Sequence, residues 1–471
     1  MINFNKAIVM VMILGLSGCS VHHGNIPELP GPLPENFIGA EADQDFSEPG
    51  RFWERFNDPK LNELVGIGLD GNLSAKKAIA RYNQFSALER ISKSSYLPFL
   101  NLNSSAGTDQ QQSTLGSFDG SSLRLSAVAG YEIDLWNKLG SGRSTATYNR
   151  QASVADIKTA FITVAAQVAD LYYFTVEQRA QLELNEQIIA SQADTLARME
   201  SRYEAGLVPA LDVYQARQNI IGAKANKPTF QANLAKGSHA LATILGQFPS
   251  QNLSGELTEL PAILPEVPVG LPSELISRRP DIEAALLRLR ARDQEVAAAV
   301  AARFPSFNLN ATVGNVSLDY ASKISGTVWS LVLDTVLPIF DYGRRRAEVE
   351  RRRAILEEEL ARYHQTVLAA FQEVEDALIV GRTGEEQIKL LEERYEATSA
   401  TLRLAEDQYF AGLTDYLSVL TAQKNHFELQ AQLLTARRRL ISERISLMKA
   451  LGGDWMVADI NNRLQENGEK K

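Results

Sequence analysis

The chain has 471 residues, and its 57 acidic against 48 basic side chains leave a formal charge of −9, which argues against a nucleic-acid partner that would select a basic face. Five histidines and one cysteine are too few for a structural zinc site, a disulfide framework or a paired-cysteine redox centre. Beyond the first two dozen positions no apolar run reaches the ~20 residues of a spanning helix, so any membrane crossing is expected to use strands.

In chain order, Lys6 opens a short positive region, Ala7 to Leu16 is apolar, and Leu16-Ser17-Gly18-Cys19 closes it with small residues before the only cysteine. This arrangement resembles the lipobox of bacterial lipoproteins, which implies a signal peptide over 1–18 and a lipid on Cys19 as the first mature residue. Ser20, where an Asp would retain the protein at the inner membrane, implies outer-membrane sorting. Residues 19–50 are expected to form a lipidated tether, extended through Pro27–Pro34. Acyl chains contribute about 0.8 kcal/mol per buried CH₂, so several chains on one residue hold firmly.

The remainder is a duplication. Tyr203-Glu-Ala-Gly-Leu-Val-Pro-Ala-Leu-Asp-Val recurs as Tyr409-Phe-Ala-Gly-Leu-Thr-Asp-Tyr-Leu-Ser-Val at an offset of 206 residues, and the match extends without gaps to Leu245-Gly246 and Leu451-Gly452. Leu97-Pro-Phe-Leu-Asn-Leu-Asn is matched by Phe304-Pro-Ser-Phe-Asn-Leu-Asn at an offset of 207. The first repeat spans 51–260, with a helix, a β-hairpin at about 97–135 and a long helical hairpin whose tip lies near 206. The second spans 261–471, with its β-hairpin at about 304–338 and its tip near 412.

The strands are read from alternation. Leu123, Leu125, Ala127, Ala129, Tyr131 and Ile133 share one parity against Arg124, Ser126 and Glu132. Leu100 and Leu102, Phe307 and Leu309, and Trp329, Leu331 and Leu333 repeat the pattern, which makes four strands of membrane-spanning length. A half-buried soluble sheet has the same alternation; the lipobox and the repeat favour lipid. Four strands do not close a barrel, so they are expected to come from several subunits. The polar stretches Asp109–Gly120 and Asn315–Gly326 are expected to be surface loops.

Between Gly343 and Phe410 there is no proline, which at 1.5 Å per residue allows a helix of about 100 Å. Leu413, Leu420, Phe427, Leu434, Ile441 and Met448 recur every seven residues, the seam of a coiled coil. In the first repeat the matching Leu207, Tyr214 and Ile221 run into Pro228, where a kink is expected.

Taken with Phe52-Trp53-Glu-Arg-Phe56-Asn-Asp58-Pro59-Lys-Leu61, with Pro268 to Ile282 including Arg278-Arg279-Pro280-Asp281, and with both Ala-Gly-Leu turns, the mature chain resembles the TolC-like outer-membrane factors, in their lipoprotein subgroup. The resemblance implies an α+β membrane fold: a homotrimer with a twelve-stranded transmembrane β-barrel, four strands per chain. A helical coiled-coil periplasmic barrel with an equatorial domain continues it. It also implies an efflux channel in the outer membrane that passes drugs or other toxic small molecules, served by a periplasmic adaptor and an inner-membrane pump of RND type.

By the same resemblance Ala205, Gly206, Leu207, Ala411, Gly412 and Leu413 are the adaptor-docking tips. Leu417 and Thr421 occupy the gate positions, the latter where Asp is common, so the acidic gate is weakened; Asp415 and Asp212 are nearby carboxylates that could bind a cation or link helices. No cofactor is expected beyond the covalent lipid on Cys19. Protein secretion, metal export and a purely structural periplasmic lipoprotein are the alternative readings. Catalysis is not expected, because His22, His23, His239, His364 and His426 are scattered and no nucleophile motif or phosphate loop accompanies them.

Overall fold

A computed structural model describes residues 31–38, 50–113, 116–249, 253, 255, 257–261, 272–318, 325–453, 455, 456 and 460. The signal segment, Cys19, most of the 19–50 tether, residues 268–271 and the hairpin ends at 114–115 and 319–324 lie outside them. The helices are α1 (Pro59–Gly71), α2 (Leu73–Ser94), α3 (Lys138–Glu204), α4 (Ala210–Ile244), α5 (Pro272–Arg278), α6 (Pro280–Ala301), α7 (Arg344–Phe410) and α8 (Tyr416–Leu451). The strands are β1 (Phe99–Ser113), β2 (Gly116–Ile133), β3 (Ser306–Leu318) and β4 (Ser325–Val336). By contact density the chain forms two discontinuous units, each drawing on both repeats.

The first unit, built from 81–154 and 284–365, holds the sheet. It is antiparallel in the order β1-β2-β3-β4. Its register carries the alternation across all four strands: Leu102 pairs with Ala127, Ala127 with Val313, and Val313 with Trp329. One face is therefore apolar and the other carries Asn101, Ser126, Thr312 and Ser330. Leu100, Leu102, Trp329 and Leu331 are exposed within the protomer, as a lipid-facing set is. Where strands pass into helices, Trp136 stacks on Phe304 at 4.9 Å and donates from Nε1 to Pro305 O, and Asp134 accepts from the Tyr96 hydroxyl and the Gly140 amide.

The expected polar loops are largely strand. Asp109 pairs with Gly120 and the ladder continues to Ser113 and Gly116, while β3 runs on to Leu318 and β4 begins at Ser325. The ladder is a main-chain property, so Ser, Gly, Gln and Asp do not end it where the hairpin continues past its apolar band.

The second unit, from 32–80, 155–283 and 366–471, is helical. Asp58 caps α1 by accepting from the amides of Lys60 and Leu61 at 2.9 and 3.1 Å, with Pro59 at the first helical position. Phe52, Trp53 and Phe56 are buried, Trp53 edge-on to Trp455 and Phe56 against Tyr173. The duplication reappears as a repeated clasp. Asn72, at the break between α1 and α2, donates from Nδ2 to Ile244 O at 2.7 Å; Arg279, at the break between α5 and α6, donates from Nη1 to Ala450 O at 3.0 Å. Both breaks and both carbonyls correspond under the repeat, but the second side chain is charged. Asp281 and Glu373 neutralise it at 2.7 and 2.8 Å. This explains why Arg-Pro-Asp stands between the halves.

The expected seam of α8 is corrected. Leu413 lies in a turn, Leu420, Phe427 and Leu434 are half-buried, and only Ile441 and Met448 are fully covered. The buried stripe of α8 is the adjacent one, through Val419, His426, Leu433, Leu440 and Leu447, also spaced by seven. Leu207, Tyr214 and Ile221 are exposed in the protomer, and Pro228, where a kink is expected, lies inside the continuous helix α4, its ring lacking the amide that would reach Lys224 O. Helix α3 contains an 18-residue window apolar enough to cross a membrane, but 61% of that window is buried inside the protein, as core.

Two outcomes follow from this packing. Leu331→Arg places a charge on the apolar face and costs about 2–4 kcal/mol of insertion, whereas Ser330→Arg on the opposite face costs little; the yield of heat-modifiable assembled protein in outer membranes separates them. His426 stacks on Tyr395 at 5.1 Å, and burial lowers its pKa while Glu406 opposes this. The unfolded chain then binds the proton more readily below its ordinary value near 6.5, so the contribution of His426 to helical stability falls from pH 7.5 to pH 5, as a difference in melting temperature between wild type and His426→Gln reads out. In His426→Gln that part of the pH dependence is lost.

Candidate functional site at the paired helical turns

The two Ala-Gly-Leu segments are the turns that reverse α3 into α4 and α7 into α8. Each is a Schellman closure. Gly206 N donates to Tyr203 O and Leu207 N to Arg202 O; Gly412 N donates to Tyr409 O and Leu413 N to Gln408 O. The glycines have φ of +70° and +75°, the left-handed region, and open space around a built Cβ, so the demand on them is conformational and not steric. Leu207 and Leu413 follow in sequence and are 66% and 79% exposed. Ala205 and Ala411 are exposed beside them.

The helices after the turns start differently. Asp415 caps α8, accepting from Ser418 Oγ at 2.7 Å and Ser418 N at 3.0 Å, and these bonds hold its carboxyl below the usual range. Pro209 caps α4 without a side-chain bond. Asp212, in the first turn of α4, is 9% exposed and accepts a 2.8 Å hydrogen bond from the Tyr409 hydroxyl on α7, 197 positions away. Burial first, then Asp212, raises the phenol above its ordinary pKa, so it remains a donor at neutral pH.

Around this bond Met199, Val213, Ala216, Tyr409, Tyr416 and Val419 form one buried cluster from α3, α4, α7 and α8. Arg202 lies over the rings of Tyr409 and Phe410 at 5.9 and 5.5 Å. Leu417 is 61% exposed, and Thr421 bonds back to Leu417 O at 2.9 Å. The structure thus separates the candidate carboxylates. Asp415 is a helix cap, while Asp212 links the two helical hairpins; among the described residues no group of three or more His, Cys, Asp or Glu is arranged for a metal.

Sequence reasoning missed Tyr409. Its signal was an asymmetry, since Tyr203 and Tyr409 repeat whereas Asp212 corresponds to Ser418, so only one of the two tyrosines has a carboxylate to meet. Tyr203, the counterpart, is half exposed. Tyr409→Phe leaves a buried carboxylate without its donor and costs about 1–3 kcal/mol, whereas Tyr203→Phe costs under about 0.5 kcal/mol. Urea unfolding of the two variants measures the difference.

The outer membrane efflux protein family profile matches residues 67–247 and 271–453. The toluene efflux pump outer membrane protein TtgC of Pseudomonas putida is 31% identical over 461 residues, covering 95% of this chain and 94% of that protein. The pyoverdine export outer membrane protein OpmQ of Pseudomonas putida is 30% identical over 417 residues, 86% of this chain and 88% of its own length. The solved outer-membrane channel OprN superposes with a TM-score of 0.86 at 27% identity, covering 93% of this chain and all of that one. The open lipid-facing sheet, the paired turns and these matches carry one conclusion: the chain belongs to the outer membrane efflux protein family, as a TolC-like channel of the outer membrane and not an enzyme.

Proposed function

We propose that three copies of this chain form the exit duct of a tripartite pump that expels toxic small molecules, antibiotics and apolar solvents among them. A periplasmic adaptor receives the turns at Ala205–Leu207 and Ala411–Leu413, and an RND-type inner-membrane pump drives transport. A lipid on Cys19 anchors each subunit beside its strands.

The observation that carries the reading is the Tyr409–Asp212 bond between the two hairpins, set beside turn leucines that nothing in the protomer covers. A bond between elements that must separate for a tip to widen acts as a latch. Leu207 and Leu413 expose apolar surface next to it, where a docking partner gains by covering them. The gate is then apolar and neutral at Leu417 and Thr421, with its carboxylate held back in the latch. Relatives named for toluene and for pyoverdine differ in cargo, which supports a duct of low selectivity whose substrate range is set by the pump.

Single-channel recording in planar bilayers tests this reading. Wild-type protein is expected to give small, mostly closed events, and Tyr409→Phe to raise the open probability several-fold. A correctly folded monomer without conductance would refute the duct. Gly412→Val, strained at its positive φ, is expected to abolish pump-dependent resistance while surface level is kept.

A further inference from the structure

The segments that flank the two open sheet edges carry apolar surface that the protomer leaves bare. After β4, Leu337, Ile339, Phe340 and Tyr342 are exposed, Tyr342 to 92%, and the rings of Phe340 and Tyr342 meet edge to face at 5.3 Å. Asp341 fixes this segment by accepting from the amides of Gly343 and Arg345 at 3.1 and 3.3 Å, with Tyr342 held at φ +58°. Before β1, Ile91, Leu97 and Pro98 are exposed, Leu97 to 68%.

The corresponding junction of the first repeat is covered within the chain. Trp136 and Tyr342 correspond at the 206-residue offset, each two residues before its long helix begins at Lys138 or Arg344; Leu97-Pro98 and Phe304-Pro305 correspond at 207. The β2–β3 ladder, in which Ile133 faces Phe307, sets Trp136 opposite Phe304, and there Trp136 stacks on Phe304 and donates to Pro305 O. The same relation calls for Leu97-Pro98 beside Tyr342. Yet β1 and β4 are the outer strands of the described sheet, so the chain's own Leu97 stands at the far edge. Strand directions alternate, so the edge of β4 continues antiparallel onto β1 of a second copy, and the end of β4 then adjoins the start of that β1.

We infer that the aromatic wedge of Phe340 and Tyr342 seats on Leu97 and Pro98 of the partner subunit, repeating between copies the contact that Trp136 makes within one, and fixes the register in which β4 meets β1. The inference rests on the three-copy reading and names the residues that set its seam. A contiguous exposed apolar patch marks an interaction surface, and aromatic side chains are enriched in such surfaces. The contact joins two different patches head to tail, the kind that closes a ring. A slip of one residue at the seam would turn the apolar side chains of a strand to the polar face, so a contact outside the ladder that admits one register has a role.

The test is disulfide trapping between two differently tagged chains expressed together, one carrying Tyr342→Cys and the other Leu97→Cys, after oxidation of outer membranes with copper phenanthroline. Residues that face each other across an antiparallel pair have Cα atoms about 4.5–5.5 Å apart, within the range a disulfide spans. A covalent dimer bearing both tags is expected. None is expected from Tyr342→Cys with Asn103→Cys, which lies about 20 Å further along β1. Pairs with one engineered cysteine against wild type control for the native Cys19. Without any new thiol, Phe340→Ala combined with Tyr342→Ala is expected to lower the assembled fraction at least tenfold with helical content kept. A trimer that traps through Asn103, or through neither site, would overturn the contact, as would unchanged assembly in the double-alanine variant. Quenching of Tyr342→Trp fluorescence by brominated phospholipid would overturn it by assigning the wedge to lipid. A correctly folded monomer would instead refute the three-copy reading itself.

Discussion

Among the described residues the outer edges of β1 and β4 have no strand beside them, and the rest of the structure depends on how that is resolved. An unpaired backbone N–H or C=O in hydrocarbon costs several kcal/mol, so an open four-stranded sheet with an apolar face does not persist alone in a bilayer. Joining copies edge to edge removes every unpaired group at once, and three copies supply the strands of a barrel of the family's size. Assembly is thus a condition of the membrane fold and not an addition to it. The matching alternation on all four strands follows, since a shift of one residue in any ladder would turn apolar side chains toward water.

The helical unit shows what duplication preserves and what it releases. Both repeats end their helical hairpins in a clasp onto the preceding helix break, through Asn72 in one and Arg279 in the other. The role, a donor to one carbonyl, survived the change of residue. The charge that came with Arg279 required Asp281 and Glu373, because a buried guanidinium without carboxylates is unstable. Near the turns the divergence has the opposite result: Asp212 has no counterpart in the second repeat, and it meets Tyr409, whose own counterpart Tyr203 is half exposed.

Polar groups inside the helical unit give it a different character from an all-apolar coiled coil. The buried stripe of α8 includes Gln423, His426 and Arg444 among its leucines, and α3 buries Glu177, Gln178, Gln181, Asn185 and Gln192. Purely apolar contact would weld the hairpins together; hydrogen-bonded contact specifies position but is exchangeable with water. The latch proposed at Tyr409 and Asp212 relies on that exchangeability.

What the sequence determined by itself was local. The two β-hairpins, the parity of their strands and the turn glycines at 206 and 412 were legible because alternation has a period of two and a left-handed turn has few residue solutions. The repeat doubled each signal. Tertiary structure alone decided which stripe of α8 is covered, because Leu420 and Val419 lie side by side on that helix and only the packed neighbours choose between them. It decided how far the ladders run past the apolar residues, which depends on backbone pairing across the hairpin. It also decided that Asp212 is a link while Asp415 is a cap, since the first role needs a partner 197 residues away and no local pattern records such a distance.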